Sequence, residues 1–321
     1  MKKAVLVAVM LCLSFAVFAN AANENANWPT KDIQVLIPAN PGGGTDASFR
    51  TLAPAVSEKL GVNVALVNMN GGAGSLANFE IMDHEPDGYY ALWHHYDTIL
   101  LTMKGMTDKR YDEYLDIVCV LPYKGGEVLA YTNQKTGFTS WKDVVDYAKA
   151  NPGKLVWAVE AGGWSHLYAA GICKACGIDV NLVDYGSASE RMVGLLGGNV
   201  DVLLDSSSRL KEYPDQIIPL GACADNRKAE CPDVPTIKEQ GFNIQPYINF
   251  LFYAVPKGTP SIAINKTADA IAEALKTPEW EAYAQKKAMT SYEFLTGAEA
   301  TKYLKDFEET YKDSISLIIA K

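Results

Sequence analysis

Histidine is scarce in this chain, with four residues in 321, at positions 84, 94, 95 and 166. Neighbouring His94 and His95 on a strand would point to opposite faces, so a histidine-rich metal centre is not expected, nor is any cofactor. Basic runs are missing too. Lys and Arg number 29 against 38 Asp and Glu, for a formal net charge of −9, which makes the chain a poor binder of polyanions and excludes nucleic acid as a partner. Beyond Ala21 no apolar stretch approaches the roughly 20 residues of a membrane span. There is no GxSxG elbow for a serine hydrolase, no Gly-Lys-Ser/Thr ending for a phosphate loop, and no internal repeat that would make a solenoid.

What the N-terminus does have is a leader. Lys2 and Lys3 precede an apolar run from Ala4 to Phe18, and Ala19-Asn20-Ala21 offers a cleavage site. Residues 1–22 therefore read as a secretory signal peptide, outside the fold. Bulky Leu11 before Cys12 argues against lipidation. An exported, periplasmic protein is expected. Cysteine is sparse after that point: Cys119, Cys173, Cys176, Cys223 and Cys231. Export permits disulfides, and Cys223 and Cys231 flank a polar loop that one would close. Cys173 and Cys176 form a CxxC late in a predicted helix, away from the helix start that would stabilise a thiolate, so an inert role is expected.

Strand and helix patterns alternate. Ile33–Ile37 is a short apolar run of strand length, Asn40-Pro41-Gly42-Gly43-Gly44-Thr45 breaks it, and a helix from Asp46 follows. That helix places Phe49, Leu52, Ala53, Val56 and Leu60 on one face, stops at Gly61 and should kink at Pro54. Further strands are expected at 64–67, 89–93, 129–132, 155–159, 180–185, 200–204 and 250–255. Helices are expected from Ser75, over 141–150, up to Cys176, over 188–196, and through most of 262–319 with a break at Gly297. Such alternation predicts mainly parallel sheets flanked by helices, played twice as two similar lobes would give.

Four turns lead from a strand into a helix: 41–46, 71–75, 162–166 and 186–189. Free N–H groups at helix starts, with the positive end of the helix dipole, attract anions, and glycine lets an oxyanion approach the backbone. Four such turns favour capture of a small anion. Ser187 followed by Glu190 reads as a capping box. Gly72-Ala73-Gly74-Ser75-Leu76-Ala77 fits a dinucleotide fingerprint formally, but no acidic residue ends the next strand at Leu92-Trp93-His94. Ser165 and His166 are sequence neighbours, which does not place their side chains in hydrogen-bond geometry; His166 reads as a donor to ligand or a solvated cap. Asp46 beside an anion site is expected to cap its own helix, with Arg50 one turn later either neutralising it or reaching the ligand.

In order and spacing these motifs resemble the periplasmic solute-binding proteins of tripartite tricarboxylate transporters, the Bug family. The resemblance runs from Trp28-Pro29-Thr30-Lys31 through the first glycine loop, Gly71-Gly72-Ala73-Gly74, Pro86-Asp87-Gly88-Tyr89, Asn151-Pro152-Gly153-Lys154, Ser165-His166-Leu167 and Leu195-Leu196-Gly197-Gly198-Asn199-Val200-Asp201. It ends with Pro232-Asp233-Val234-Pro235-Thr236 and Pro256-Lys257-Gly258-Thr259-Pro260. It implies a two-lobed periplasmic binding protein of type II-like architecture, with lobe 1 at 28–124 and 248–321 and lobe 2 at 125–247. Two crossing strands near 120–123 and 247–250 would join lobes that close on a carboxylate. The implied function is capture of a small organic acid and delivery to the membrane subunits of the transporter, by a monomer that is not an enzyme. The alternatives are a ligand-presenting partner of a membrane sensor and a secreted hydrolase. Ligand contacts are expected from Gly42, Gly43, Gly44 and Thr45, from Gly72 and Ala73, from His94, His95 and Tyr96, from Trp164, Ser165 and His166, and from Tyr185, Gly186, Ser187, Ala188, Ser189 and Asp205. Ala77 stands for a usual glycine, His94-His95-Tyr96 for small hydroxyl residues, and the glycine of the fourth loop is shifted by one. The aromatic and imidazole groups His94, His95, Tyr96 and Trp164 suggest a bulkier or aromatic acid.

Overall fold

Apolar strands with glycine stops build two sheets in the computed structural model, which describes residues 27–125, 128–245, 248–287 and 289–319. The leader expected over 1–22 and Tyr247 of the second expected crossing lie outside the described residues. Among these residues no helix is long and apolar enough to cross a membrane. The chain divides into two compact units. The first holds the described residues through His94, Arg110–Cys119 and Phe252–Glu281; the second holds the described residues of His95–Lys109, Val120–Leu251 and Ala282 onward.

In the first unit β1 (Ile33–Ile37) pairs in parallel with both β2 (Val64–Asn68) and β3 (Tyr90–His95). Helix α1 (Gly44–Leu60) follows β1 and buries Phe49, Leu52, Ala53 and Val56, the face its apolar spacing predicts. It begins two residues before the expected Asp46 because extended Gly43 serves as its N-cap, and left-handed Gly61 closes it at φ 74°. Phe49 meets Trp93 at 5.2 Å and Tyr253 at 5.8 Å between ring centroids. Each such fully buried aromatic contributes roughly 1.5–3 kcal/mol. Helices α2 (Ser75–Met82) and α4 (Tyr111–Tyr114) belong to the same unit, and α3 (Asp97–Met103), between them in the chain, belongs to the second.

Strands β4 (Leu115–Gly125), β10 (Asn249–Pro256), β11 (Met289–Tyr292) and β12 (Leu295–Thr296) complete a seven-stranded sheet, ordered β11-β4-β10-β3-β1-β2 with β12 on β4. The second sheet is ordered β7-β6-β8-β5-β9. It comprises β5 (Val128–Asn133), β6 (Val156–Val159), β7 (Asn181–Asp184), β8 (Val202–Ser206) and β9 (Ile217–Ala222). This sheet is mixed: β6 runs parallel to β7 and β8, whereas β5 is antiparallel to β8 and β9.

The second unit also holds α5 (Trp141–Ala150), α6 (Trp164–Cys176), α7 (Ala188–Gly197), α8 (Arg209–Glu212) and α11 (Gly297–Ile319), and Met192 and Leu195 of α7 join that sheet's core. Trp141 and Trp157 meet edge to face at 5.5 Å. Between β10 and α11 the chain forms α9 (Ser261–Ala274) and α10 (Pro278–Lys286). All five cysteines of the described residues are buried. Burial pushes the Cys119 thiol up to about 12 and raises Cys176 as well; Cys173 and Cys176 sit in the last turns of α6. High thiol pKa values leave little thiolate for redox chemistry.

Candidate functional site

The first unit presents its glycine loops at the carboxyl ends of parallel strands, where ligands of open α/β sheets bind. Gly42 takes a left-handed φ of 82°, and Gly43 follows in extended conformation as the N-cap of α1. Asp46 occupies the third position of that helix. It does not cap amides further on, as the sequence suggested; from there its side chain reaches back, and Oδ2 accepts the Gly42 amide at 2.8 Å. Arg50 grips it bidentately, Nε to Oδ2 at 3.0 Å and an NH2 contact to Oδ1 at 2.6 Å. Asn68 Nδ2 adds a bond to Oδ1 at 2.9 Å. The side chain of Asp46 is fully buried, and the Arg50 hydrogen bond, assisted by Gly42 and Asn68, lowers its pKa to about 2 against the desolvation that opposes it. The acid beside the helix start is therefore neutralised. Thr45 and Asp46, in the first turn, have amides without an intrahelical acceptor.

A second loop is tied to the first. Asn68 Nδ2 also donates to Ala39 O at 2.9 Å, and Asn70 Nδ2 to Asn40 Oδ1 at 3.1 Å. Gly72 and Ala73 lie in a short 3₁₀ turn ahead of α2. Gly74, at φ 86°, must be glycine because a Cβ there would lie 2.6 Å from His94 Nε2. His94 is fully buried at the end of β3. Gly42 to Thr45, Gly72 and His94 thus come together within this unit.

The remaining expected contacts fall in the second unit. His95 Nδ1 lies 3.7 Å from Asp97 Oδ2. Tyr96 stacks on Phe307 and meets Phe250 edge-on, and it shares a small apolar cavity with Trp164, Leu167 and Tyr168. At the start of α6, Ser165 Oγ accepts the Glu160 amide at 2.8 Å and His166 Nδ1 accepts the Gly162 amide at 3.1 Å. Each serves its own loop, which is not the arrangement of a nucleophile with its base.

At the start of α7 the Ser187 and Glu190 capping box is present in both directions. Asp184 Oδ1 accepts the amides of Ala161 at 3.1 Å and Gly186 at 3.0 Å, and Glu190 Oε2 accepts the Ser187 amide at 2.8 Å. Ala188 and Ser189 open the helix. The Tyr185 ring covers Gly194, where a Cβ would meet it at 2.7 Å. Asp205 is held by Arg209 Nε at 3.1 Å and by the Ser206 amide at 2.7 Å; burial raises its pKa despite Arg209.

Four charged groups at these loops escaped the sequence reading. Lys104 Nζ donates to Gly162 O at 2.6 Å, and an Arg191 NH1 contact to Gly186 O also measures 2.6 Å. Arg191 is 2% exposed and lies 3.9 Å from Glu160 Oε2. Asp97 and Glu160 both have pKa values raised by burial. A charge on the apolar face of a helix, as Arg191 is on α7, was the available signal. A cavity of about 360 Å³ elsewhere in this unit, lined by Tyr123, Lys124, Asn226, Asn249, Tyr292 and Tyr303 among others, touches none of the glycine loops.

Known proteins give this geometry a context. The family model described as tripartite tricarboxylate transporter family receptor matches residues 48–318. Protein BugT of Bordetella pertussis is 28% identical over 244 residues, covering 74% of this chain and 74% of BugT. Among solved structures, Rhodopseudomonas palustris Rpa4515 with adipate has a TM-score of 0.77 at 20% identity, over 91% of this chain and 98% of that one. MatC from the same organism, with bound malate, has a TM-score of 0.68 at 19% identity over 91% and 99%. At such identities the structures establish a shared solute-binding fold. The family match reaches further: the chain belongs to the tripartite tricarboxylate transporter family receptors, which are solute-binding receptors and not enzymes.

Proposed function

We propose that this protein is a periplasmic receptor that captures a small organic acid and passes it to the membrane subunits of a tripartite transporter. The observation that carries the reading is the start of α1. There a glycine-led helix N-terminus stands beside an acid whose charge Arg50 cancels bidentately, so the helix dipole and the first-turn amides face an anion without a competing negative charge. Thr45 adds a hydroxyl at the same point. Family membership supports the same class, since relatives of this fold carry adipate and malate. Gly42–Thr45 is the carboxylate anchor in this reading, with Gly72 beside it in the same unit.

The test is a thermal-shift screen of the mature protein against mono-, di- and tricarboxylates, aromatic acids included. A ligand of the native state at 100 times its dissociation constant stabilises by about 2.7 kcal/mol. At least one acid should raise the melting temperature in proportion to the logarithm of its concentration. If none does, the receptor is not a carboxylate receptor.

A further inference from the structure

The second unit sets one of its own carboxylates against the N-cap of a helix at its glycine loops. Glu160 precedes the turn into α6, and its Oε2 lies 3.3 Å from the position a Cβ would take on Gly163, the N-cap of that helix. The neighbouring amides are engaged by carboxylates already: those of Ala161 and Gly186 by Asp184, that of Ser187 by Glu190. The two cations at the loops are turned to backbone carbonyls, Lys104 to Gly162 O and Arg191 to Gly186 O. Four acids, Asp97, Glu160, Asp184 and Glu190, thus stand against Lys104 and Arg191. Burial, together with the Asp97 and Asp184 carboxylates, holds Glu160 above the usual carboxylate range even though Arg191 and Lys104 oppose it.

An incoming carboxylate would add like charge to that set, whereas an ammonium or hydroxyl would find acceptors. Glu160 is the accessible acceptor, with a side chain 42% exposed. Asp97 Oδ1 is buried without a donor.

We propose that Glu160 is a specificity-determining residue, which bars a carboxylate from the loops at Gly162–His166 and Gly186–Ser189 and accepts an ammonium there. The ligands of this receptor are then aminocarboxylates in preference to dicarboxylates. The inference rests on the carboxylate-receptor reading and narrows it. Arg191 supplies the rival outcome: its Nε is buried without an acceptor, and a ligand carboxylate that displaced Glu160 would take that donor.

Calorimetric titration of the full mature chain and of Glu160→Gln decides between them. The probes are butanoate, butanedioate, 2-aminobutanoate and 4-aminobutanoate, with the five- and six-carbon homologues of each. The wild type should bind an amino acid at least tenfold more tightly than the diacid of equal length. Glu160→Gln should lose at least tenfold for the amino acid and gain for the diacid, with Glu160→Asp keeping the wild-type order. Unchanged melting of the three unliganded proteins would show that the fold is intact. A wild type that prefers the diacid, or a ratio that Glu160→Gln leaves unmoved, overturns the inference and leaves the receptor reading standing. If the wild type binds none of these acids, nor any acid of the thermal-shift screen, the receptor reading falls and the inference with it.

Discussion

The helix starts of the two units are built from the same parts and carry different charge balances. At α1 one acid, Asp46, is matched by the bidentate guanidinium of Arg50 and an Asn68 bond. At α6 and α7 the acids Glu160, Asp184 and Glu190 take loop amides or press on a helix cap, and the nearby cations hold carbonyls instead. On the proposed reading, glycine loops of one sequence type receive groups of opposite character. The loop supplies access, and the side chains behind it set the sign.

The largest way to break that contrast is to fill the first loop. Gly43 has φ −63°, so Gly43→Val is compatible with the backbone, but its Cβ would stand 3.0 Å from Asn40 O and its branches would cover the first-turn amides. Carboxylate affinity should fall about a hundredfold, roughly 2.7 kcal/mol, in a titration against the best acid of the thermal-shift screen. Wild-type affinity in a folded variant would remove the first loop from the site.

Next in size is the neutralised acid. Asp46→Asn should cost about 2 kcal/mol of stability at neutral pH in urea unfolding, since the folded carboxyl titrates near 2 against an ordinary 3.8. The sign follows from the depressed value. The contribution is complete above the unfolded value and disappears as pH falls toward 2, so wild type and Asp46→Asn should converge in acid. Equal stabilities at pH 7 would show that Arg50 and Asn68 do not hold Asp46 as described.

Smaller again is the cap on the other side of the comparison. Ser187→Ala removes the hydroxyl that closes the capping box of α7 and should cost about 1 kcal/mol. With the carboxylate anchored at α1 as proposed, affinity for a simple monocarboxylate should stay within twofold. A tenfold loss there would move the anchor to α7.

Much of this was readable from residue order. Phe49, Leu52, Ala53 and Val56 at helical spacing gave the buried face of α1, and Ser187 with Glu190 gave the capping box of α7. Strand β9 was not legible, because Pro219 within it argues against a strand. The fold admits it at the edge of its sheet, where the register against β5 shifts between Ala130 and Tyr131. Helix α3 was missed because Tyr96 to Met103 has neither a side-chain cap nor a clear stop. At the site the glycines were visible in advance, but the charge balance was not. Lys104 and Arg191 reach loops 58 and 5 residues away in the chain, and Glu160 became significant only when its carboxylate was seen beside Gly163.

The most direct measurement is residue-resolved. Butanoate, or whichever simple monocarboxylate raises the melting temperature most, is titrated into uniformly ¹⁵N-labelled mature protein and the backbone amide shifts are followed. The α1 anchor requires the Thr45 and Asp46 amides to move in step with binding while those of Gly186 and Ser187 keep their bonds to Asp184 and Glu190. Large shifts at Gly186 and Ser187 with none at Thr45 would contradict it.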